Sequence, residues 1–442
     1  MSTALGGGRC TQACAQQACA QGVCTSAHGY GTDDALCAAS CAQRGCAQGL
    51  VCQQDVCVAQ IQRPPTKALS PQQIEQALGV TCATSPTQDG PRPLTWQLGF
   101  QWPQGARRAW IAPFVRQGTL EARRLSWAQE SISLLETYNK HQFRRVQPPV
   151  DPPQALGSIA NFSMDAPLLF PYAPQDQDLV VEGAQYTLEV ASDEPPCLHV
   201  WFQSETQKVL ALNVTLLDAG GLGAKEAPFD PAMQEALATM RRLLTAPGAF
   251  ERVDVAFVDA PAGGAPTSVR SDEDLRRVTG MGRPRGEHPY WMRALDVFFV
   301  GGIDHPELPG VLGYAASLPT APGLQGNPLQ GALFSSELLG VNDVALGVLM
   351  AHEIGHLLGL RHTTELAHNG TSSAQRRVAR LVGTTDPLLD TPVCARPAQA
   401  PDQCPDASNL MFPVLPQSVD RAAALEWSEA QKLILTGATQ PP

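Results

Sequence analysis

The sequence is poor in charge and in long apolar runs. Only 17% of its 442 residues are charged, the formal net charge is −11, and no run of lysine or arginine is longer than a pair. A nucleic-acid-binding protein needs a basic surface, so we expect no nucleic-acid partner. No apolar run approaches the roughly 20 residues that cross a bilayer, so we also expect no transmembrane segment.

Lysine is scarce as well, with five in the chain beside abundant alanine, a composition typical of a GC-rich genome, and we expect a bacterial protein. Residues 1–9 contain neither the basic nor the apolar region of a signal peptide. The length exceeds that of one ordinary domain, so we expect two or three. The sequence does not indicate the oligomeric state.

Cysteines, in contrast, are plentiful at one end of the chain. Nine of the thirteen lie within residues 10–57, where C-x3-C-A-Q-x2-C-A-Q-G occurs twice. We interpret residues 1–57 as a duplicated, disulfide-rich module, and a zinc cluster is the alternative, although the spacings differ from the CxxC pairs of zinc sites. Disulfides persist in oxidising compartments, so we expect a secreted or cell-surface protein. Either a signal preceded residue 1 or this export inference is wrong, and we favour the first.

The middle of the chain has the pattern of a β protein. Residues 58–80 are predicted to be a linker that ends in a short helix over 70–79. Residues 81–227 contain short runs of branched and aromatic residues between Pro, Gly and Asp, which predicts a β-sandwich interrupted by one helix near 126–141. Its strands are predicted at LTWQLGFQW, RAWIAPFV, AQYTLEVAS, CLHVWFQS and VLALNVTLL. Cys82 and Cys197 either form a disulfide or supply a thiol that caps a metal, and we favour the disulfide.

Residues 228–442 are predicted to form an α+β domain. A helix over 230–244 has Asp230 as its N-cap, and a long helix covers 342–360. Four apolar runs between them, RVDVAFVDA, ALDVFFVGGI, VLGYAASLP and GALFSSELL, read as buried strands. A mixture of strands and helices in this order is typical of an α+β architecture.

The second of these helices carries the sequence's clearest chemical pattern, HEIGHLLGLRH. His352 and His356 are four residues apart, so their imidazoles project from one helix face about one turn apart. Gly359 can end the helix in a left-handed conformation, which allows His362 to return as a third ligand. Glu353 lies beside His352 and can reach a metal-bound water without binding the metal. The sequence predicts a zinc site, because His352, His356 and His362 leave the fourth zinc position for water. The alternative, buried core histidines, explains HExxH alone but not the extended pattern.

The extended motif resembles that of the metzincin zinc proteases, and SNLMFP then supplies a candidate Met-turn. The resemblance implies that Met411 lies beneath the zinc and supports the ligands. It also implies a peptidase in which Glu353 acts as general base on a zinc-bound water. In this family the substrate lies extended along an edge strand, for which we favour residues 331–339 over GYAASLP.

Within the metzincins, residues 240–437 are most similar to the pappalysin and cytophagalysin-like group. The likeness implies a Cys394–Cys404 disulfide, and it makes Asp386 and Asp390 a candidate calcium loop, with a solvated loop as the alternative. The chain differs from the group where Phe412 follows the methionine, because a tyrosine is usual there. It also lacks the customary Gly-Gly-Cys after His362.

The sequence therefore predicts a secreted zinc endopeptidase that acts on proteins or peptides. A surface adhesion protein with a degenerate or structural zinc domain is the alternative, and hydrolysis of a non-peptide amide is a third possibility. Whether residues 58–227 are a removable propeptide or a permanent domain stays open at this level.

Overall fold

The structure is a computed structural model that describes part of the chain. The described residues are 22–25, 36–39, 50–53, 56–59, 80–87, 93–115, 120–127, 130–133, 168–171, 180–204, 209–246, 250–260, 266–282, 294–306, 310–316, 331–364, 388, 390–392, 394, 403–414 and 424–436. The predicted linker helix 70–79, Asp386 and the cysteine pairing of the N-terminal module lie outside them. Among the described residues, none of the helices could span a lipid bilayer.

Two antiparallel hairpins are described in the N-terminal module. Gly22–Thr25 pairs with Leu36–Ala39, and Leu50–Gln53 pairs with Val56–Ala59. The first strand of each hairpin has the same place in the sequence repeat, GVC in one copy and GLVC in the other. The second strand of the first hairpin, Leu36–Ala39, already runs into the second copy, which then leads into the hairpin of Leu50–Gln53 and Val56–Ala59.

Two four-stranded sheets follow. In one, the strands Leu168–Phe170, Ala106–Phe114, Cys197–Ser204 and Thr81–Cys82 are neighbours in that order; in the other, the order is Leu94–Gln101, Gln185–Ser192, Leu120–Trp127 and Glu130–Ser133. All pairs in both sheets are antiparallel. Alternate residues of the two sheets share one apolar core, which includes Ile111, Leu125 and Tyr186. This is the arrangement of a β-sandwich, and we refer to residues 81–204 as the sandwich.

The helix that we predicted near 126–141 is wrong where the structure describes it. Ser126 and Trp127 end one strand, and Glu130–Ser133 forms the next, paired back on the first. The strand Leu120–Trp127 also pairs with the distant segment Gln185–Ser192, and this cross-strand pairing outweighs the helical spacing of the sequence that follows. Cys82 and Cys197, in contrast, are joined in a disulfide across two paired strands.

The second half of the protein is built on a mixed five-stranded sheet. Its strands lie in the order Arg252–Asp259, Val209–Leu216, Leu295–Val300, Ala332–Ser335 and Gly313–Ala315. The first four run parallel, and the last is antiparallel to its neighbour. Two shorter strands, Ser268–Val269 and Gly302–Ile303, pair separately.

Two of our strand predictions need correction here. Val209–Leu216 belongs to this mixed sheet, between two of its parallel strands, and not to the sandwich. The outermost strand at the other side is Gly313–Ala315, which we call the edge strand, and not the segment 331–339 that we favoured. Both errors concern pairing partners far away in sequence, which a run of apolar residues does not specify.

Two long helices cover one face of this sheet. The backing helix, Pro231–Thr245, begins at Asp230, whose carboxylate accepts a hydrogen bond from the backbone N–H of Met233 at 2.8 Å. It packs against the histidine helix, Asp343–Leu357, at Gly347, where an added Cβ would collide with the carbonyl oxygen of Ala236. The other helices among the described residues are Asp272–Thr279 and the C-terminal helix, Glu429–Thr436, with short 3-10 turns at Ala227–Phe229 and Ser336–Leu338.

Candidate metal centre

The histidine helix is buried on nearly all sides. Its N-cap is Asn342, whose side-chain oxygen accepts a hydrogen bond from Ala345 N at 3.1 Å. Twelve of its fifteen residues are buried, which is the pattern of a helix at the centre of a domain. His352 and His356 lie one turn apart on it, and their ring centroids are 4.8 Å apart. The apolar neighbours therefore place two imidazoles inside the protein.

The helix ends where the motif predicts. Gly359 has φ +103°, a conformation that side-chain-bearing residues rarely adopt. Its N–H donates to His356 O, and the N–H of Leu360 donates to Gly355 O at 2.9 Å. These two bonds form a Schellman motif, which satisfies helix carbonyls that would otherwise lack partners. The chain turns back at this point, and His362 comes to face the first two histidines.

The three imidazoles converge through one type of nitrogen. His362 Nε2 lies 3.1 Å from His352 Nε2 and 3.1 Å from His356 Nε2. An ion with bonds of about 2.0–2.1 Å to nitrogen in tetrahedral geometry holds such atoms roughly 3.3 Å apart. The three atoms therefore meet at a spacing that fits one small cation, and together they can hold a metal ion.

The other ring nitrogens of two of the histidines are held by backbone carbonyls. His352 Nδ1 lies 2.8 Å from Leu410 O, and His356 Nδ1 lies 2.7 Å from Leu360 O. A carbonyl can only accept, so each Nδ1 carries the hydrogen and each Nε2 presents its lone pair to the common point. Backbone groups thus select the tautomer that binds a metal.

Burial also keeps these imidazoles neutral. It lowers the pKa of His352 to about 3, and it lowers the pKa of His356 well below its usual value, with the neighbouring imidazoles adding to both shifts. For the adjacent carboxyl the direction is reversed, since burial raises the pKa of Glu353 to about 7 against the opposing effect of His362. A neutral imidazole is the form that coordinates a cation.

Glu353 connects the histidine helix to the edge strand. Its carboxylate accepts a hydrogen bond from the backbone N–H of Ala315. The edge strand also approaches the helix closely at Gly313, where an added Cβ would lie 2.8 Å from Leu349 side-chain atoms. The glutamate is therefore fixed between the histidines and the outermost strand of the sheet.

Met411 lies directly beneath the histidine helix. It is fully buried, and a Cβ added at Gly355 would lie 2.8 Å from its sulfur. Its turn is held by Asn409, whose side-chain oxygen accepts a hydrogen bond from Met411 N at 2.8 Å. The neighbouring Leu410 supplies the carbonyl that orients His352. The turn therefore contacts the site through both its methionine and its backbone.

A buried carboxylate that we did not single out from the sequence adjoins the site. Asp406 Oδ2 accepts hydrogen bonds from the hydroxyls of Thr363 at 2.7 Å and Thr364 at 2.5 Å, the two residues that follow His362. The Thr364 hydroxyl in turn accepts from Cys394 N at 2.8 Å. An aspartate three residues before Asn409 is no recognisable signal, so the sequence alone could not reveal this network.

The remaining candidate residues have structural contacts. Cys394 and Cys404 form a disulfide. Asp390 caps the C-terminal helix, because its two oxygens accept from Ser428 Oγ at 2.9 Å and Ala430 N at 2.8 Å. A calcium site at Asp390 stays a prediction, since its partner Asp386 lies outside the described residues.

No protein-family model matches the chain, and no curated protein matches its sequence. Among solved structures, the chain is similar to metalloproteinase-II from Bacteroides fragilis, with 12% sequence identity and a TM-score of 0.25. That match covers 67% of this chain and 90% of the other.

Proposed function

We propose that this protein is a zinc-dependent endopeptidase of the metzincin type. The proposal is carried by one observation, the meeting of three imidazole Nε2 atoms beside a buried glutamate that contacts an edge strand. A structural metal site is usually closed by a fourth protein ligand, whereas three ligands leave a position for substrate or water. Among the described residues, the three histidines form a group without a fourth His, Cys, Asp or Glu.

In this proposal His352, His356 and His362 hold the metal, and zinc is the cation that best suits three neutral imidazoles. A bound zinc ion supplies a Lewis acid, which polarises a peptide carbonyl and makes water more acidic. The Nδ1 bonds to Leu410 O and Leu360 O keep two of the rings aimed at the ion. The protein would therefore be preorganised to take up zinc.

Glu353 is the general base in the proposed mechanism. The buried carboxylate of Glu353, next to His352 on the histidine helix, would accept a proton from the attacking water. The same group then donates that proton to the leaving amine. The N–H of Ala315 orients the carboxylate, so the geometry for both transfers exists before substrate arrives.

The edge strand supports an extended peptide as substrate. Leu312 O and Ala316 N pair with the neighbouring strand, and Tyr314 lies between them opposite Leu333. In an antiparallel ladder the intervening residues Gly313 and Ala315 then point their backbone groups away from the sheet. A substrate strand can add there by hydrogen bonds to the backbone of Gly313 and to the carbonyl of Ala315, since the Ala315 N–H already donates to Glu353. The two disulfides in the described part suit a secreted enzyme, which we also propose.

Digestion of a peptide library by the purified protein tests the proposal. We expect internal cleavage that stops when a chelator removes the metal and resumes when zinc is added back in slight excess. A surface-binding protein with a structural metal would bind zinc yet cleave nothing under any condition. Cleavage that persists in the demetallated protein would contradict the proposal, and release of acetate or ammonia from simple amides without peptide cleavage would favour a non-peptide amidase.

A further inference from the structure

One sheet of the sandwich buries both of its faces. On the strand Ala106–Phe114, Ala109 and Ile111 point into the sandwich core, while Arg108 and Trp110 point to the opposite face. Both of these outer side chains are at most 2% exposed. An antiparallel sheet commonly leaves one face in water. The outer face of this sheet is therefore covered by another part of the chain.

The outer face of this sheet packs against the hydrophobic core of the second half of the protein, from residue 209 onward, which contains the candidate metal centre. Trp110 lies opposite Leu169 on one neighbouring strand and opposite Trp201 on the other. The two indoles stack with their ring centroids 4.3 Å apart. Trp110 and Leu169 belong to the same core cluster as Leu357 and Met411, and Trp201 packs against it. A row of three apolar side chains across three strands thus forms part of the core around the metal centre.

Arg108 joins the two halves by hydrogen bonds. Its Nη1 donates to Ile434 O at 2.9 Å and to Leu433 O at 3.2 Å, and its Nε donates to Pro171 O at 2.7 Å. Leu433 and Ile434 lie in the last turn of the C-terminal helix, where carbonyls lack partners within the helix. The helix has no basic residue of its own in that turn, so a guanidinium from the sandwich provides the favourable charge.

The C-terminal helix, which Arg108 contacts, is hydrogen-bonded to the turn that supports the candidate metal centre. Gln431 on this helix accepts a hydrogen bond from Asn409 Nδ2 at 2.9 Å, and Asn409 holds the turn of Met411. Leu410 N also donates to Glu426 O at 2.9 Å, just before the helix. Release of the sandwich would uncover apolar side chains and leave two helix carbonyls unpaired at the support of the histidine site.

We infer that the sandwich is a permanent part of the metal-centre domain, which it holds through Arg108 and the Trp110 face, and not a propeptide that leaves to produce the active protein. The inference concerns assembly, so it stands whether or not the metal centre is a peptidase. It assigns residues 81–204 an interaction surface whose partner is the second half of the same chain.

A cut between the two halves tests the inference. Residues 205–208 join the sandwich to Val209–Leu216, and a recognition site for a sequence-specific protease is placed there in the full-length, zinc-loaded protein. After cutting, we expect both pieces to co-elute in size exclusion without denaturant and to unfold in one transition. The inference is overturned if the pieces separate spontaneously and the piece from residue 209 onward still binds zinc and unfolds cooperatively.

Arg108→Met gives an independent test if the inserted site prevents folding. The matched control is Arg124→Met, which removes an exposed arginine from the other sheet. We expect Arg108→Met to lower the Tm of the intact chain by roughly 5–10 °C, since it leaves buried carbonyls unpaired. The control should shift Tm by less than about 2 °C. Equal Tm values for the two variants would contradict the role of Arg108 in holding the two halves together. Recovery of an active form from the native source that lacks residues 81–204 would overturn the inference as a whole.

Discussion

Asp406 accepts a hydrogen bond from the hydroxyl of Thr363 at 2.7 Å, one residue after the third histidine of the candidate metal centre. His362 follows the helix end and has no regular helix to hold it, in contrast to His352 and His356. The buried carboxylate therefore fixes the backbone from which His362 projects. Asp406 lies two residues after Cys404, which is joined to Cys394 by a disulfide.

We predict that Asp406→Asn weakens zinc binding about 10- to 100-fold, the usual effect of removing a group that supports a ligand. Competition with a chromogenic chelator measures the affinity. The control is Glu273→Gln, which removes an exposed carboxylate at the start of the helix Asp272–Thr279. An unchanged affinity in Asp406→Asn, with the fold intact by circular dichroism, would exclude this positioning role.

We predict that Glu353→Gln binds one equivalent of zinc and loses peptide cleavage by a factor of about 10² or more. The amide keeps the size of the side chain but cannot take a proton from water. Zinc content by mass spectrometry and turnover of a fluorogenic peptide separate the two effects. The control is Glu337→Gln, which changes an exposed glutamate just after the strand Ala332–Ser335, and this variant should cleave the peptide at the normal rate. Full activity in Glu353→Gln would refute the general-base role.

We predict that Gly359→Ala impairs both stability and zinc affinity. A residue with a Cβ atom at φ +103° loses about 1–2 kcal/mol of folding free energy to backbone strain. Relief of that strain would move His362 away from the other two imidazoles. Gly220→Ala is the matched control, because Gly220 has φ +66° with open space around its Cα. Both variants should unfold earlier in urea, and zinc affinity should fall in Gly359→Ala alone. A parallel loss in the control would mean that the turn has no special part in ligand placement.

We predict that Gly355 and Met411 are energetically coupled. A methyl at residue 355 would lie 2.8 Å from the Met411 sulfur, so Gly355→Ala should lower the free energy of unfolding by about 1–3 kcal/mol. Met411→Ala makes room, and the double variant should lose less than the sum of the two single losses. The control cycle combines Gly355→Ala with Met281→Ala, at a residue that packs against a separate core cluster, and there the two losses of unfolding free energy should add. Additive losses for Gly355 and Met411 would contradict the close contact.

Local features of the sequence predicted the local geometry around the histidines. Asp230 at the start of the backing helix, the i, i+4 histidines and Gly359 all act within a few residues of their partners, and backbone geometry gives each a defined position. The predicted N-cap at Asp230 and the positive φ at Gly359 are present in the structure. The apolar setting of HEIGHLLGL likewise predicts a buried helix.

Features that depend on distant pairing were not predictable in the same way. The segments 331–339 and 313–315 are both short apolar runs, and only their neighbours in the sheet make the second one the edge. Val209–Leu216 reads like the sandwich strands before it, yet its partners are Arg252–Asp259 and Leu295–Val300. Strand pairing depends on which surfaces meet, and the sequence pattern specifies only that a surface is apolar.

The sequence by itself determined which groups meet at the candidate site: three histidines, the glutamate beside them and the glycine that brings the third histidine back. The tertiary structure decided what holds those groups, because their supports come from remote parts of the chain. Leu410 O orients His352 from 58 residues away, Asp406 steadies the segment after His362, and Arg108 caps a helix more than 300 residues later. Carbonyl, carboxylate and guanidinium groups occur throughout any sequence, and only folding in three dimensions selects the few that meet their partners in a buried site.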